Sequence, residues 1–244
     1  MKNEVFAHFA KILDDLIDTY DFYKCYFQEP YSADYVPEVA DLEFVCGASR
    51  GCLIDFTYDW VIKWDCEEDS LGGSCCEREI ENYKDACACG LGDMFAEAHY
   101  IGTYTKTIDF WDVTEVRELM GYDDDDDTKY WQEKIAENLT NPYSITIRVP
   151  LYAYRRADDN CDTVEDKCSA GEHEEFFKNS TSPLCERSFR IGEGFAQEYG
   201  LEAFEELTEF CAEHRINDIH WGNIGIIDER LVLIDYSGYW SHEA

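Results

Sequence analysis

Residues 216–238 read INDIHWGNIGIIDERLVLIDYSG. Two aspartates, Asp218 and Asp235, flank Asn223 and an apolar run. The segment IGIIDERLVLI reads as two short strands with a turn at Asp228-Glu229, since apolar residues stand on both sides of a polar pair. Asp218 and Asn223 then lie on the loop that enters the hairpin, and Asp235 lies where the chain leaves it. Placing bare carboxylates on both sides of a buried strand needs a reason in a chain with net charge −34. Turn formation or helix capping is one reason. Handling a cation is another.

Upstream of this stretch, Leu201, Phe204, Leu207 and Cys211 recur at helical spacing and predict a helix over 198–214. Residues 155–185 are polar and charged and read as a loop or mobile insertion. AHYIGTY and YSITIRVPLYAY (143–154) predict strands. Between them lies an acidic insertion, about 104–143, which contains the run Asp123 to Asp127. That run reads as a solvated loop, since it lacks the alternating ligand pattern of a calcium loop. CEREIENYKDACAC predicts a helix ending near Gly90. LEFVCGASRGCLIDFTYDWVIKWD (42–65) predicts an antiparallel meander. At the N-terminus, Val5, Phe6, Phe9, Leu13, Leu16, Ile17 and Tyr20 predict an amphipathic helix within 3–28.

Composition narrows the function classes. The chain holds 54 acidic and 20 basic residues, with 15% aromatics, which disordered acidic chains lack. Its field repels phosphate backbones and anionic membranes, which argues against direct nucleic-acid binding. A basic protein partner, a metal ion or a metal–nucleotide complex is compatible with it. No apolar run is long enough to span a bilayer, and Lys11, Asp14 and Asp15 interrupt any N-terminal apolar segment, so no membrane partner and an intracellular, cytoplasmic location are expected. The twelve cysteines then read as thiols; neither Cys75-Cys76 nor Cys87-Ala88-Cys89 has common zinc spacing.

Phosphoryl transfer from a nucleotide requires few protein groups. It needs a lysine on the phosphates, a carboxylate and an amide oxygen on magnesium, and a second carboxylate for the acceptor hydroxyl. DIHWGN followed by LIDYSG resembles the D-x-H-x-x-N and DFG-like elements of the protein kinase-like superfamily. The placement of His220 and Gly222 is similar to that in aminoglycoside and choline phosphotransferases and small phage-encoded kinase-like proteins. EHRIN, just upstream, resembles the His-Arg that often precedes the catalytic aspartate.

The resemblance implies Asp218 as the catalytic carboxylate and Asn223 and Asp235 as magnesium ligands. It implies Lys63, at the end of the WVIKWD strand, on the phosphates of ATP. A helix glutamate would pair with that lysine: Glu79, with Glu81 as the alternate. CGASRG (46–51), with Gly47 and Gly51, stands where a glycine-rich phosphate loop would be; a plain hairpin turn reads as well. Mg²⁺ and ATP are the implied cofactors, and the trio is expected at a cleft facing Lys63.

The implied fold is α+β and kinase-like, with an antiparallel-sheet N-lobe followed by a reduced helical C-lobe. Residues 1–149 would form the N-terminal helix and sheet lobe, and 150–244 the helical lobe with the catalytic-loop hairpin. Six residues follow Gly238, there is no A-P-E, and Tyr236 replaces the family's phenylalanine. These departures leave three readings: a Mg-ATP phosphotransferase of unknown acceptor, a catalytically inactive kinase-like binding module, and an acidic protein that captures a basic partner or mimics nucleic acid.

Overall fold

The computed structural model describes residues 1–20, 40–46, 50–65, 74–109, 139–141, 144–168 and 174–237. Over these residues the protein is α+β, with two compact units: Met1–Gly73 with His99–Ala153, and Ser74–Ala98 with Tyr154–Ala244. The expected division at 149/150 lies close to the break at 153/154. Residues 74–98, expected in the sheet lobe, group instead with the second unit. Their side chains are engaged there, with Glu79 and Asn82 both bonded to the backbone of Tyr236.

The first unit contains helix α1 (Lys2–Tyr20) and strands β1 (Leu42–Cys46), β2 (Arg50–Asp55), β3 (Trp60–Asp65), β5 (Leu139–Asn141) and most of β4 (Ala98–Asp109) and β6 (Ser144–Arg155). The sheet order is β1-β2-β3-β6-β4, with β5 on β6; β1–β2 and β2–β3 are antiparallel, as the meander predicts. Val5, Phe9, Leu13, Leu16 and Ile17 are each at most 5% exposed and pack in one core with Leu53, Ile62, Trp64 and Leu151. Burying each such side chain contributes about 1.5–3 kcal/mol, and that burial holds the helix on the sheet. Strand alternation puts Lys63 on the sheet face opposite Ile62 and Trp64, beside its cross-strand partner Cys52.

Polar clips hold α1 in register. His8 Nε2 is 2.8 Å from Asp55 Oδ2, while Asp55 Oδ1 accepts the Thr57 amide at 2.8 Å and its hydroxyl at 2.6 Å. Burial would raise the Asp55 carboxyl, but the Thr57 bonds and His8 outweigh it and hold it below the usual aspartate range. Farther along α1, Tyr104 donates to Asp14 at 2.7 Å, and Lys106 reaches Asp18 at 2.7 Å.

The second unit contains α2 (Cys75–Ala88), α3 (Cys161–Lys167), α4 (Glu174–Lys178), α5 (Pro183–Glu186), α6 (Phe189–Tyr199), α7 (Leu201–Glu213) and the hairpin β7 (Ile224–Ile227) and β8 (Arg230–Leu233). Ser74 Oγ caps α2 by accepting the Glu77 amide at 2.9 Å. The helix stops at Gly90, φ 85°, with Leu91 N–H on Ala86 O at 2.8 Å and Gly90 N–H on Cys87 O at 3.2 Å. That pair of bonds is the Schellman ending, which the glycine permits.

Three expectations need correction. Residues 155–185 are not a plain loop: α3, α4 and α5 bury Val164, Phe177 and Leu184. Asn160 and Ser182 cap two of these helices, which are too short to show apolar periodicity. The helix expected over 198–214 is two helices broken at Gly200, and Leu201 is 50% exposed on the first turn of α7 rather than on the buried face with Phe204, Leu207 and Cys211. The acidic insertion begins later than expected, since 104–109 belong to β4; Asp123 to Asp127 lie outside the described residues.

Candidate functional site

The β7–β8 hairpin pairs Ile224 with Leu233 and Ile227 with Arg230, so its loop is the two residues Asp228 and Glu229. Both have positive φ, 49° and 68°, the backbone of a type I′ turn. The turn lies where the sequence predicts it, though neither residue is a glycine or asparagine. Gly225 lets β7 lie against the chain at 157–158, where a Cβ would stand 2.5 Å from that of Ala157. Ile226 exchanges both backbone bonds with Asp158, at 2.8 and 2.9 Å.

The loop entering this hairpin is built by local bonds. Helix α7 ends in a second Schellman arrangement: Ile216 N–H on Cys211 O at 2.8 Å and Arg215 N–H on Ala212 O at 3.3 Å. The left-handed position, usually glycine, is Arg215 at φ 58°. His214 stacks on Phe210 with centroids 3.9 Å apart, and its Nε2 is 3.3 Å from Asp85 of α2. The His-Arg pair of EHRIN therefore forms a helix end. Next, His220 caps a 3₁₀ turn, Trp221–Asn223, by accepting the Gly222 amide on Nδ1 at 3.1 Å.

Asn223 ties the motif together. It is buried, and its Nδ2 donates to the Asp218 carbonyl at 2.7 Å. Its own carbonyl accepts the Ile234 amide at 3.0 Å. Asp218, Asn223 and Asp235 are thus joined through the backbone at the open end of one hairpin. The Asp218 carboxylate is 38% exposed, with Arg187 Nη2 at 3.9 Å from Oδ1 and His220 Nε2 at 3.9 Å from Oδ2.

The residue after Asp235 is fixed from several sides. Tyr236 N–H donates to Glu79 Oε1 at 2.9 Å, Asn82 Nδ2 donates to Tyr236 O at 2.8 Å, and the phenol donates to Ala96 O at 2.7 Å. Tyr236 is fully buried and meets Phe95 edge-on, 5.1 Å between centroids. Burial first, and then the carboxylates of Glu79 and Asp235 among its neighbours, push the phenol well above the usual tyrosine range. Glu79 is fully buried and Glu81 exposed. In this unit Glu79 serves the backbone next to Asp235.

The other predicted residues lie in the first unit. Lys63 is half-buried on β3. Gly51 is a strand residue rather than a loop residue, and a Cβ there would stand 2.6 Å from the indole of its cross-strand partner Trp64, so packing requires the glycine. Gly47 lies outside the described residues.

Sequence reasoning overlooked Arg187 and Asn82. Arg187 comes from the α5–α6 junction, just beyond the 155–185 stretch read as loop, and Asn82 is an ordinary polar residue on a helix. The identities of His220 and Gly222 carried a signal, because an imidazole seated on the amide two residues ahead needs a glycine there. Elsewhere, burial pushes the thiols of Cys168 and Cys211 up to about 12, which leaves both protonated at neutral pH. Among the described residues, no group of three or more His, Cys, Asp and Glu side chains could hold a metal ion. No described helix is long and apolar enough to cross a membrane. No protein-family model matches the chain, and no curated protein matches its sequence.

Proposed function

We propose that the chain is a kinase-like phosphotransferase that uses Mg-ATP and an acceptor hydroxyl. The junction of Asp218, Asn223 and Asp235 carries this reading. The Asn223 amide on the Asp218 carbonyl, and the Ile234 amide on the Asn223 carbonyl, bring the two halves of the motif to one hairpin end.

The donor set suits magnesium that arrives with a nucleotide. With Nδ2 engaged, Asn223 keeps Oδ1 for ligation, and Asp235 adds one half-buried carboxylate. One carboxylate and one amide oxygen, completed by phosphate oxygens and water, match Mg²⁺ better than they match an all-protein cage. When bound, the ion would neutralise phosphate charge. Asp218 is part-exposed, and it takes the hydroxyl proton. The acceptor oxygen bonds to the γ-phosphorus, the β–γ bridging P–O bond breaks, and its electron pair leaves with ADP. Glu79 holds the backbone beside Asp235 through the Tyr236 amide.

Glu79 also supports a second reading. A fully buried carboxylate engaged by a backbone amide serves the fold, as a catalytically inactive kinase-like binding module would require. Calorimetry of ATP binding with and without Mg²⁺, followed by a phosphate-transfer assay, separates the readings. The phosphotransferase requires Mg²⁺-dependent binding and turnover. Binding without turnover selects the inactive module. A folded sample that binds no nucleotide leaves an acidic protein that captures a basic partner.

A further inference from the structure

Two contacts define the imidazole of His220. Its Nδ1 accepts the Gly222 amide at 3.1 Å, and its Nε2 stands 3.9 Å from Asp218 Oδ2. A backbone amide can only donate, so Nδ1 presents its lone pair and the hydrogen of the neutral ring resides on Nε2. A Cβ at residue 222 would lie 3.1 Å from the ring's Cε1 and 3.3 Å from Nδ1, close enough to displace the ring. Gly222 therefore supplies both the donor and the space. The backbone of Asp218 is held through the Asn223 amide on its carbonyl, while its carboxylate lies between His220 and Arg187.

We propose that His220 is a positioning residue. Nδ1 builds the turn that carries Asn223, and the Nε2–H orients the Asp218 carboxylate toward the acceptor. This rests on the phosphotransferase reading, in which Asp218 handles the acceptor hydroxyl. At 3.9 Å the N–H attracts the carboxylate without a direct hydrogen bond, so Oδ2 stays able to accept from a hydroxyl. The two ring nitrogens have separate tasks, and substitution can separate them. Asparagine places an oxygen near the position of Nδ1 and caps well, but has nothing at Nε2. Glutamine reaches the Nε2 position with an N–H and loses the cap.

The test is NMR of the full chain with ¹⁵N-labelled histidine and ¹³C-labelled aspartate carboxyls. Wild-type His220 is expected as the Nε2–H tautomer. His220→Asn is expected to keep the Gly222 amide resonance, move the Asp218 carboxyl resonance, and lower turnover about tenfold at unchanged Mg-ATP affinity, as loss of a partner that orients a working ligand does. His220→Gln is expected to move the Gly222 amide and leave the Asp218 carboxyl near its wild-type position. An Nδ1–H tautomer overturns the proposal, and so does an Asp218 resonance indifferent to His220→Asn. If His220→Asn does not fold, Gly222→Ala crowds the same ring, and a constant Asp218 resonance there overturns the proposal equally. The resonances need neither nucleotide nor turnover. A chain that binds no Mg-ATP therefore defeats the phosphotransferase reading alone, and an Nδ1–H tautomer defeats the positioning role alone.

Discussion

Asp55 and Asp218 both sit beside a histidine, and they are in opposite states. Asp55 is 5% exposed, with His8 at 2.8 Å and two donors from Thr57. Its fold uses the carboxylate to pin α1 to the turn after β2. Asp218 is 38% exposed, and the Arg187 guanidinium and His220 ring beside it each stand at 3.9 Å. Its backbone is anchored while its carboxylate remains open to an incoming group. A carboxylate saturated by its own fold contributes stability. One held in place and left open can contribute chemistry.

Substitutions can break or sharpen this contrast. The largest effect is expected at Asp235: Asp235→Ala should remove Mg²⁺-dependent ATP binding altogether, as measured by calorimetry. Equal affinity in wild type and variant would mean that Asp235 is not a metal ligand. Asp218→Ala should spare ATP affinity and lower turnover by about 10²–10⁴, the usual effect of losing a positioned base. Thermal unfolding of this variant should stay close to wild type, since the carboxylate is part-exposed and its charged neighbours stand no closer than 3.9 Å.

Asp55→Ala should do the reverse. With His8 and both Thr57 donors left without their acceptor, stability should fall by about 2–3 kcal/mol in urea unfolding, with nucleotide binding per folded molecule unchanged. The pH dependence has a definite sign. Because the folded carboxyl is held below its ordinary value, its stabilisation is present above about pH 4 and is lost as the pH falls through the folded value. The stability gap between wild type and Asp55→Ala should therefore be full at pH 7 and narrow below about pH 4. A gap constant down to acid pH would refute the clip.

The smallest effects concern backbone strain near the candidate site. Arg215 at φ 58° and Glu229 at φ 68° occupy positions that favour glycine. Glu229→Gly should raise stability by about 0.5–1 kcal/mol in the same unfolding assay, by removing left-handed strain at the hairpin turn. Loss of stability would show that the Glu229 side chain does more for the hairpin than its backbone conformation costs.

The N-terminal helix, the β1–β3 meander, α2 with its stop at Gly90 and the β7–β8 hairpin were all legible in the sequence. Each depends on neighbours within a few residues: apolar spacing, strand alternation, or a polar pair between apolar runs. The spacing of Asp218, Asn223 and Asp235 was legible for the same reason, because one loop and one hairpin contain it. The helices α3 to α6 were not: α3 to α5 are too short to show apolar periodicity, and α6 packs against α4, α5 and α7. In α6, Gly192 would place a Cβ 2.4 Å from Cys185 Sγ, so a glycine that argues against a helix locally is required by the packing.

Tertiary structure alone decided that Glu79 rather than Glu81 is buried, that Gly51 makes room for Trp64, and that Arg187 stands beside Asp218. Local pattern specifies which backbone a segment prefers. The partner that meets a side chain is set by contacts across long sequence separations, such as the 157 positions from Glu79 to Tyr236.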